Sequence, residues 1–145
     1  MKIKLANKND IPKLIQWIEK FYEEEKMDYD EPNIREALEL LFNSPELGRA
    51  YLLKEKRKEI GYMLVTFGWS LEFHGRDSFI DEIYIIKSER GRGLAHDAIK
   101  ILENILMKEG IKTIHLEVNN NEKAIILYNN LGFIPHKSIF LSKRL

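Results

Sequence analysis

Two groups of residues in this chain have the types and spacing to do chemistry. The first is Arg90-Gly91-Arg92-Gly93-Leu94-Ala95. The two glycines allow a sharp turn and leave no Cβ to keep a ligand away. From Leu94 the apolar residues fall at helical spacing, so the turn opens a helix. First-turn N–H groups have no partner inside a helix, and the dipole favours an anion there. Arg90 and Arg92 add positive charge. This pattern reads as a phosphate site; the competing account is a helix start whose glycines only allow close packing. The second group is Asp81-Glu82, which interrupts the apolar run before the turn. A carboxylate in such a run costs free energy unless it has a partner or a purpose. Desolvated in a cleft, it would have a raised pKa and be suited to taking a proton.

Known phosphate loops do not match this turn. A Walker A loop is excluded because no Gly-Lys-Ser/Thr follows. The dinucleotide fingerprint needs a third small residue where His96 stands, and Glu117 lies too far along for the ribose acid.

The elements that must position these groups can be read in order. Residues 83–86, Ile-Tyr-Ile-Ile, end a central strand over 79–86 that feeds the turn. Leu94, Ala95, Ala98, Ile99, Leu102, Ile105 and Leu106 form one helical stripe, and Gly110 stops it. Upstream, residues 2–6 alternate as a short strand. Asn9 or Asp10 can cap the next helix, with Pro12 in its first turn and Ile11, Leu14, Ile15, Ile18, Phe21 and Tyr22 buried. An acidic run over 23–31 precedes a second helix after Pro32, with Ile34, Ala37, Leu38 and Leu41 inward. Strands over 49–55 and 60–69 form a hairpin, and 70–76 reads as a loop. Downstream come a strand over 112–118, a short helix after Asn119-Asn120-Asn121, and a final strand over 133–141. Hairpin-linked strands first and strand–helix units second predict an α/β (α+β) fold. Its sheet is mixed, with helices on both faces.

Composition narrows the function. The chain has 145 residues, one domain's worth, and 44% are hydrophobic. Basic and acidic residues balance at 23 each, which argues against a nucleic-acid partner. There is no cysteine, hence no thiolate nucleophile, and the four histidines lack ligand spacing, so no metal is expected. No apolar run reaches membrane-spanning length and no secretory signal is evident, so a cytoplasmic location is expected.

With the elements in order, a family resemblance emerges. Arg90-Gly91-Arg92-Gly93-Leu94-Ala95 resembles the Arg/Gln-x-x-Gly-x-Gly/Ala signature of the GNAT superfamily of N-acetyltransferases. Asn121-x-x-Ala124-x-x-Leu127-Tyr128-x-x-x-Gly132-Phe133 resembles that family's downstream motif at the usual spacing. Ser88 departs from the pattern, since many members carry a proline shortly before the signature.

The resemblance implies a single N-acetyltransferase domain over 1–145 whose mostly antiparallel sheet contains a splayed parallel strand pair. It implies acetyl transfer from acetyl-CoA to a primary amine by direct attack in a ternary complex. Gly91, Arg92, Gly93, Leu94 and Ala95 would hold the pyrophosphate, with Arg90 in the same turn. Backbone groups near Ile83, Tyr84 and Ile85 would pair with the pantetheine arm beside a β-bulge near 83–85, and Asn121 and Ala124 would line the other side. Tyr128 would be the acid that protonates the departing sulfur. Its competing account is a core tyrosine on an amphipathic helix.

Glu82 is the preferred base, expected on one face with Ile80, Tyr84 and Ile86; Asp81 would face the other way. An ion pair to a neighbouring strand is the competing account for Glu82, and Glu117 is a weaker candidate. Trp69, Glu72 and Phe73 are candidates to line a pocket for a small-molecule or peptide amine. A homodimer is compatible with edge strands near the C-terminus. Two other functions fit less well: a non-catalytic CoA-binding or regulatory module, and a dehydrogenase-type nucleotide domain.

Overall fold

Two antiparallel hairpins carry most of the sheet. β2 (Gly48–Glu55) and β3 (Lys58–Ser70) meet at a tight turn over Lys56 and Arg57. β3 then pairs along its length with β4 (Gly75–Ile85). β1 (Lys2–Leu5) pairs antiparallel with β2, and β5 (Thr113–Leu116) pairs parallel with β4. The order is β1-β2-β3-β4-β5. The computed structural model describes residues 1–119 and 121–145, so the predicted role of Asn120 lies outside the described residues.

α1 (Ile11–Glu25) and α2 (Glu31–Asn43) cover one face, and α3 (Leu94–Lys108) covers the other. α4 (Glu122–Asn130) follows β5. Strand alternation divides the core. Ala50 and Leu52 pack with Leu14 and Ile18 of α1, while Tyr51 and Leu53 pack with Ile99 and Leu102 of α3. The sheet is thus mixed and mostly antiparallel, with one parallel pair and helices on both faces.

Several local expectations change. Asp10 stands at the N-cap position of α1, as one of the two expected residues, but makes no capping side-chain bond there; the capping side chain is Asn7, one short turn earlier. Its side chain accepts from the Asn9 N–H at 2.9 Å, and the Asp10 carboxylate accepts from the Asn7 N–H at 3.0 Å. The reciprocal pair builds a 3₁₀ turn first, and α1 grows from its end. On α2 Leu38 is buried and Ala37 is exposed. The predicted loop over 70–76 is a tight turn at 71–74, and β4 already begins at Gly75.

The final strand predicted over 133–141 does not form. Gly132 takes φ +88 after α4, and the Gly132 and Phe133 N–H groups turn back onto the carbonyls of Asn129 and Tyr128. Phe133 therefore has no N–H left for a ladder, and Pro135 has none at all. Ile134 and Leu141 remain exposed.

One irregularity organises the site. The β3–β4 register runs Leu64↔Glu82 and then Val65↔Ile80, leaving Asp81 without a partner on β3. Asp81 is a β-bulge, slightly upstream of the 83–85 position that was expected. The bulge also resets alternation. Ile80 joins Ile83 and Ile85 on the α3 side, while Tyr84 packs on the α1 side with Tyr62. Glu82 therefore does not share a face with Ile80, because an extra residue inverts the count.

Candidate active site

β4 and β5 pair from Asp77↔Thr113 to Ile80↔Leu116 and no further. Pairing stops where the Asp81 bulge bends β4 away, so the two strands diverge toward their C-terminal ends. The Ile86 N–H donates to the Ile60 carbonyl on β3 at 2.9 Å. Backbone groups alternate sides along an antiparallel strand, so the N–H and C=O groups of Ile83 and Ile85 face away from β3, into the gap. The result is a cleft of about 920 Å³ with a strand edge along one wall. Leu116 and Val118 stand on the opposite wall, and the end of α1 supplies Phe21 and Tyr22, with Met27 just beyond it.

The glycine turn forms one end of this cleft. Gly91 and Gly93 take φ +76 and +74, and a Cβ built on either meets nothing within 4 Å. Both are required by the backbone conformation and leave open space over the turn. α3 begins directly after Gly93 with no side-chain cap, and its first intrahelical bond is Asp97 N–H to the Gly93 carbonyl at 3.1 Å. The N–H groups of Leu94, Ala95 and His96 thus lie upstream of any intrahelical acceptor, at the positive end of the dipole. Leu94 and Ala95 line the cleft with both glycines.

Arg90 lines the cleft too, but its side chain turns back. Its Nε donates to the Ile85 carbonyl at 2.6 Å, Nη1 pairs with Glu24 of α1 at 2.8 Å, and the guanidinium lies 5.3 Å from the Tyr84 ring centroid. The Arg90 hydrogen bond holds the Glu24 carboxyl below its ordinary range. Arg92 is not brought to the cleft. It pairs with Glu89 and approaches Glu55 at 3.9 Å on the far side of the turn.

Glu82 lines the cleft, half-buried, with no Lys or Arg paired to it among the described residues. Its Oε2 accepts from the Tyr62 hydroxyl at 2.6 Å, and Tyr22 of α1 lies against the same carboxylate. The ion pair considered from sequence is therefore replaced by phenols. Burial raises the Glu82 pKa, the two tyrosines oppose that rise, and the Asp81 charge adds to it. Asp81 projects from the bulge into the cleft, and burial raises its pKa as well. Glu117 also lines the cleft.

Tyr128 reaches the cleft from α4, its ring edge-on to Phe133 at 5.8 Å. Burial, and secondarily the Glu25 charge, raise its pKa. It therefore stays protonated at neutral pH. Asn121 caps α4 by accepting from the Lys123 and Ala124 N–H groups at 3.1 and 3.3 Å, and both Asn121 and Ala124 line the cleft. Glu25 at the end of α1 accepts from Asn119 at 2.8 Å, so α1 touches both margins of the opening.

Trp69, Glu72 and Phe73 are placed elsewhere. They sit at the β3–β4 turn, ten residues of β4 before Ile85, or about 33 Å. There Phe73 packs on His115 and His136, and Trp69 is 70% exposed. The groups that sequence reading missed are the two phenols on Glu82, Tyr62 and Tyr22, whereas Glu24, Glu25 and Met27 belong to the acidic run over 23–31 that the sequence offered as an attraction for a cationic amine. Tyr62 carried one usable signal, a polar-tipped aromatic within an apolar strand.

Known proteins resemble this chain in sequence and in fold. Residues 11–133 match the profile of the Acetyltransferase (GNAT) family. The chain is 32% identical over 74 residues to thialysine N-epsilon-acetyltransferase of Mus musculus, covering 50% of this chain and 43% of that protein. The matched stretch thus spans under half of that relative's length. Among solved structures, an integron cassette protein from a salt-marsh metagenome superposes with a TM-score of 0.86 at 25% identity, over 99% of this chain and 90% of the other. A predicted acetyltransferase of Clostridium acetobutylicum, solved with acetyl-CoA, superposes with a TM-score of 0.81 at 17% identity, over 98% and 95% of the two chains. An uncapped helix start behind two open glycines, a strand edge freed by a bulge, and a profile match over most of the sequence lead to one assignment: the chain belongs to the GNAT acetyltransferase family.

Proposed function

We propose that this protein is an N-acetyltransferase that moves an acetyl group from acetyl-CoA to a primary amine by direct attack in a ternary complex. The observation that carries this reading is the continuity of one cleft from the open Gly91–Gly93 turn, past the β4 edge at Ile83 and Ile85 that β5 does not cover, to Glu82 and Tyr128. The residues present fit the cosubstrate. Three orphan N–H groups and open space over two glycines suit a diphosphate, and the strand edge beyond the β5 pairing, with the Ile85 carbonyl held by Arg90, suits an amide-bearing arm. When bound, acetyl-CoA supplies the thioester that serves as acyl donor.

The chain's own groups then divide the proton work. Glu82 takes a proton from the acceptor nitrogen, directly or through water. Tyr128 gives its hydroxyl proton to the departing sulfur. An N–H of the β4 edge near Ile85 would donate to the carbonyl oxygen that becomes negative. The acceptor is a small-molecule or peptide amine that enters beside Phe21, Tyr22 and Met27. The cytoplasm is the location we propose. β5 ends the sheet, so a homodimer formed by an added strand at that edge is the assembly we propose, and light scattering reads it out.

The test joins calorimetric titration with acetyl-CoA to a thiol-release assay over polyamines, amino acids, aminoglycosides and peptide N-termini. Binding with amine-dependent thiol release is the expected result. No binding at millimolar acetyl-CoA overturns the proposal. Binding without release across the panel supports a non-catalytic module instead.

A further inference from the structure

Tyr62 lies outside every motif that pointed to the cleft, yet it holds Glu82, the acid proposed as the base. It is fully buried on β3, opposite Tyr84 in the register and diagonal to Glu82. Its ring stacks on Trp17 at 6.5 Å with an interplanar angle of 5°, and lies 6.1 Å from the Tyr84 ring. A ring held between two aromatic neighbours cannot swing its hydroxyl away. That hydroxyl has one proton and donates it to Glu82 Oε2 at 2.6 Å.

We propose that Tyr62 is a positioning residue for acetyl transfer, fixing the Glu82 carboxylate in the orientation that takes the proton from the acceptor amine. The inference rests on the reading of Glu82 as base. The titratable groups facing Glu82 are Tyr62 from β3, Tyr22 from α1 and its own neighbour Asp81 on β4. Burial and the Asp81 charge both favour the neutral acid. Of the forces favouring the carboxylate, the Tyr62 hydrogen bond leads and the one from Tyr22 follows. Burial and the adjacent carboxylate keep the Tyr62 phenol neutral far above physiological pH, so it acts as a permanent donor. A hydrogen bond to the charged form keeps a desolvated acid usable as a base near neutrality.

The experiment uses the full chain in three variants: Tyr62→Phe, Glu82→Gln and the double. Tyr62→Phe keeps the ring and its stacking, and circular dichroism checks the fold. The expected result is an acid limb of the kcat/KM profile moved up by about 0.5–1 pH unit, with activity recovering at high pH. The KM for acetyl-CoA stays within about twofold. Carbon-13 NMR titration of the Glu82 carboxyl, read without turnover, shows the same upward movement. In the Glu82→Gln background, Tyr62→Phe adds no further loss of turnover. A purely structural tyrosine would lower stability and leave the acid limb and the NMR titration in place; that result overturns the inference while Glu82 stands as base. Unchanged turnover in Glu82→Gln removes the base itself and this inference with it.

Discussion

Arg90 Nε donates to the main-chain oxygen of Ile85 at 2.6 Å, so the glycine turn closes back on the last residue of β4. Nη1 of the same guanidinium holds Glu24 at 2.8 Å. One side chain therefore ties the glycine turn, the end of β4 and the end of α1 together. It also occupies a carbonyl that an incoming strand-like ligand could use.

Removing that tie should weaken cofactor binding. Arg90→Ala deletes a cation beside the anion site and frees α1 from the turn. We expect acetyl-CoA affinity to fall about 10-fold, the size of one charge-assisted hydrogen bond, with weaker salt dependence. Calorimetry at two ionic strengths measures both. Wild-type affinity and salt response in this variant would leave Arg90 with a structural role alone.

The open glycine turn allows a sharper test. Gly93→Glu places a carboxylate where a diphosphate would dock and forces φ +74 on a side-chain residue, at a strain of about 1–2 kcal/mol. Acetyl-CoA binding should disappear. Gly110→Ala is the strain control, since Gly110 has φ +79 after α3 and no part in the cleft. It should lose comparable stability and keep full affinity. Equal binding by Gly93→Glu and wild type would show that the diphosphate docks elsewhere.

Tyr128 makes a prediction about rate alone. Its hydroxyl has a proton to give at neutral pH, and its ring is fixed against Phe133. Tyr128→Phe should lower kcat by roughly 10²–10⁴-fold, the range for a lost general acid, while the acetyl-CoA dissociation constant changes by less than about threefold. Stopped-flow thiol release with a good acceptor separates the two. An unaltered kcat takes Tyr128 out of the mechanism.

Glu82 predicts a trade between stability and activity. Its pKa is raised in the folded state by burial, so folding favours the protonated acid. This cost is absent below the unfolded-chain value of about 4.3. It grows as pH rises from there to the folded value and stays constant above it. Glu82→Gln removes the ionisation and keeps an oxygen for Tyr62 to bond. At pH 7.5 it should melt about 3 °C higher than wild type, on the order of 1 kcal/mol, and be nearly inactive. At pH 4 the two should melt together. A lower melting temperature at pH 7.5 would show that the carboxylate is stabilised in place.

What the sequence determined was local. Glycines after an apolar run, the stripe of α3 and the asparagine ahead of α4 are all written within a few residues, where steric limits and helical spacing act directly. The tertiary structure decided whatever depends on pairing between distant segments. The bulge at Asp81 exists only in register with β3, and it sets where β4 leaves β5 and which way Glu82 faces. The Tyr62 hydroxyl meets Glu82 across 20 residues, and Arg90 finds Glu24 on another element altogether. The last predicted strand gave way to a helix-ending turn because Gly132 and Phe133 spent their N–H groups on α4. Local spacing fixes which groups are available, and long-range register fixes which of them meet.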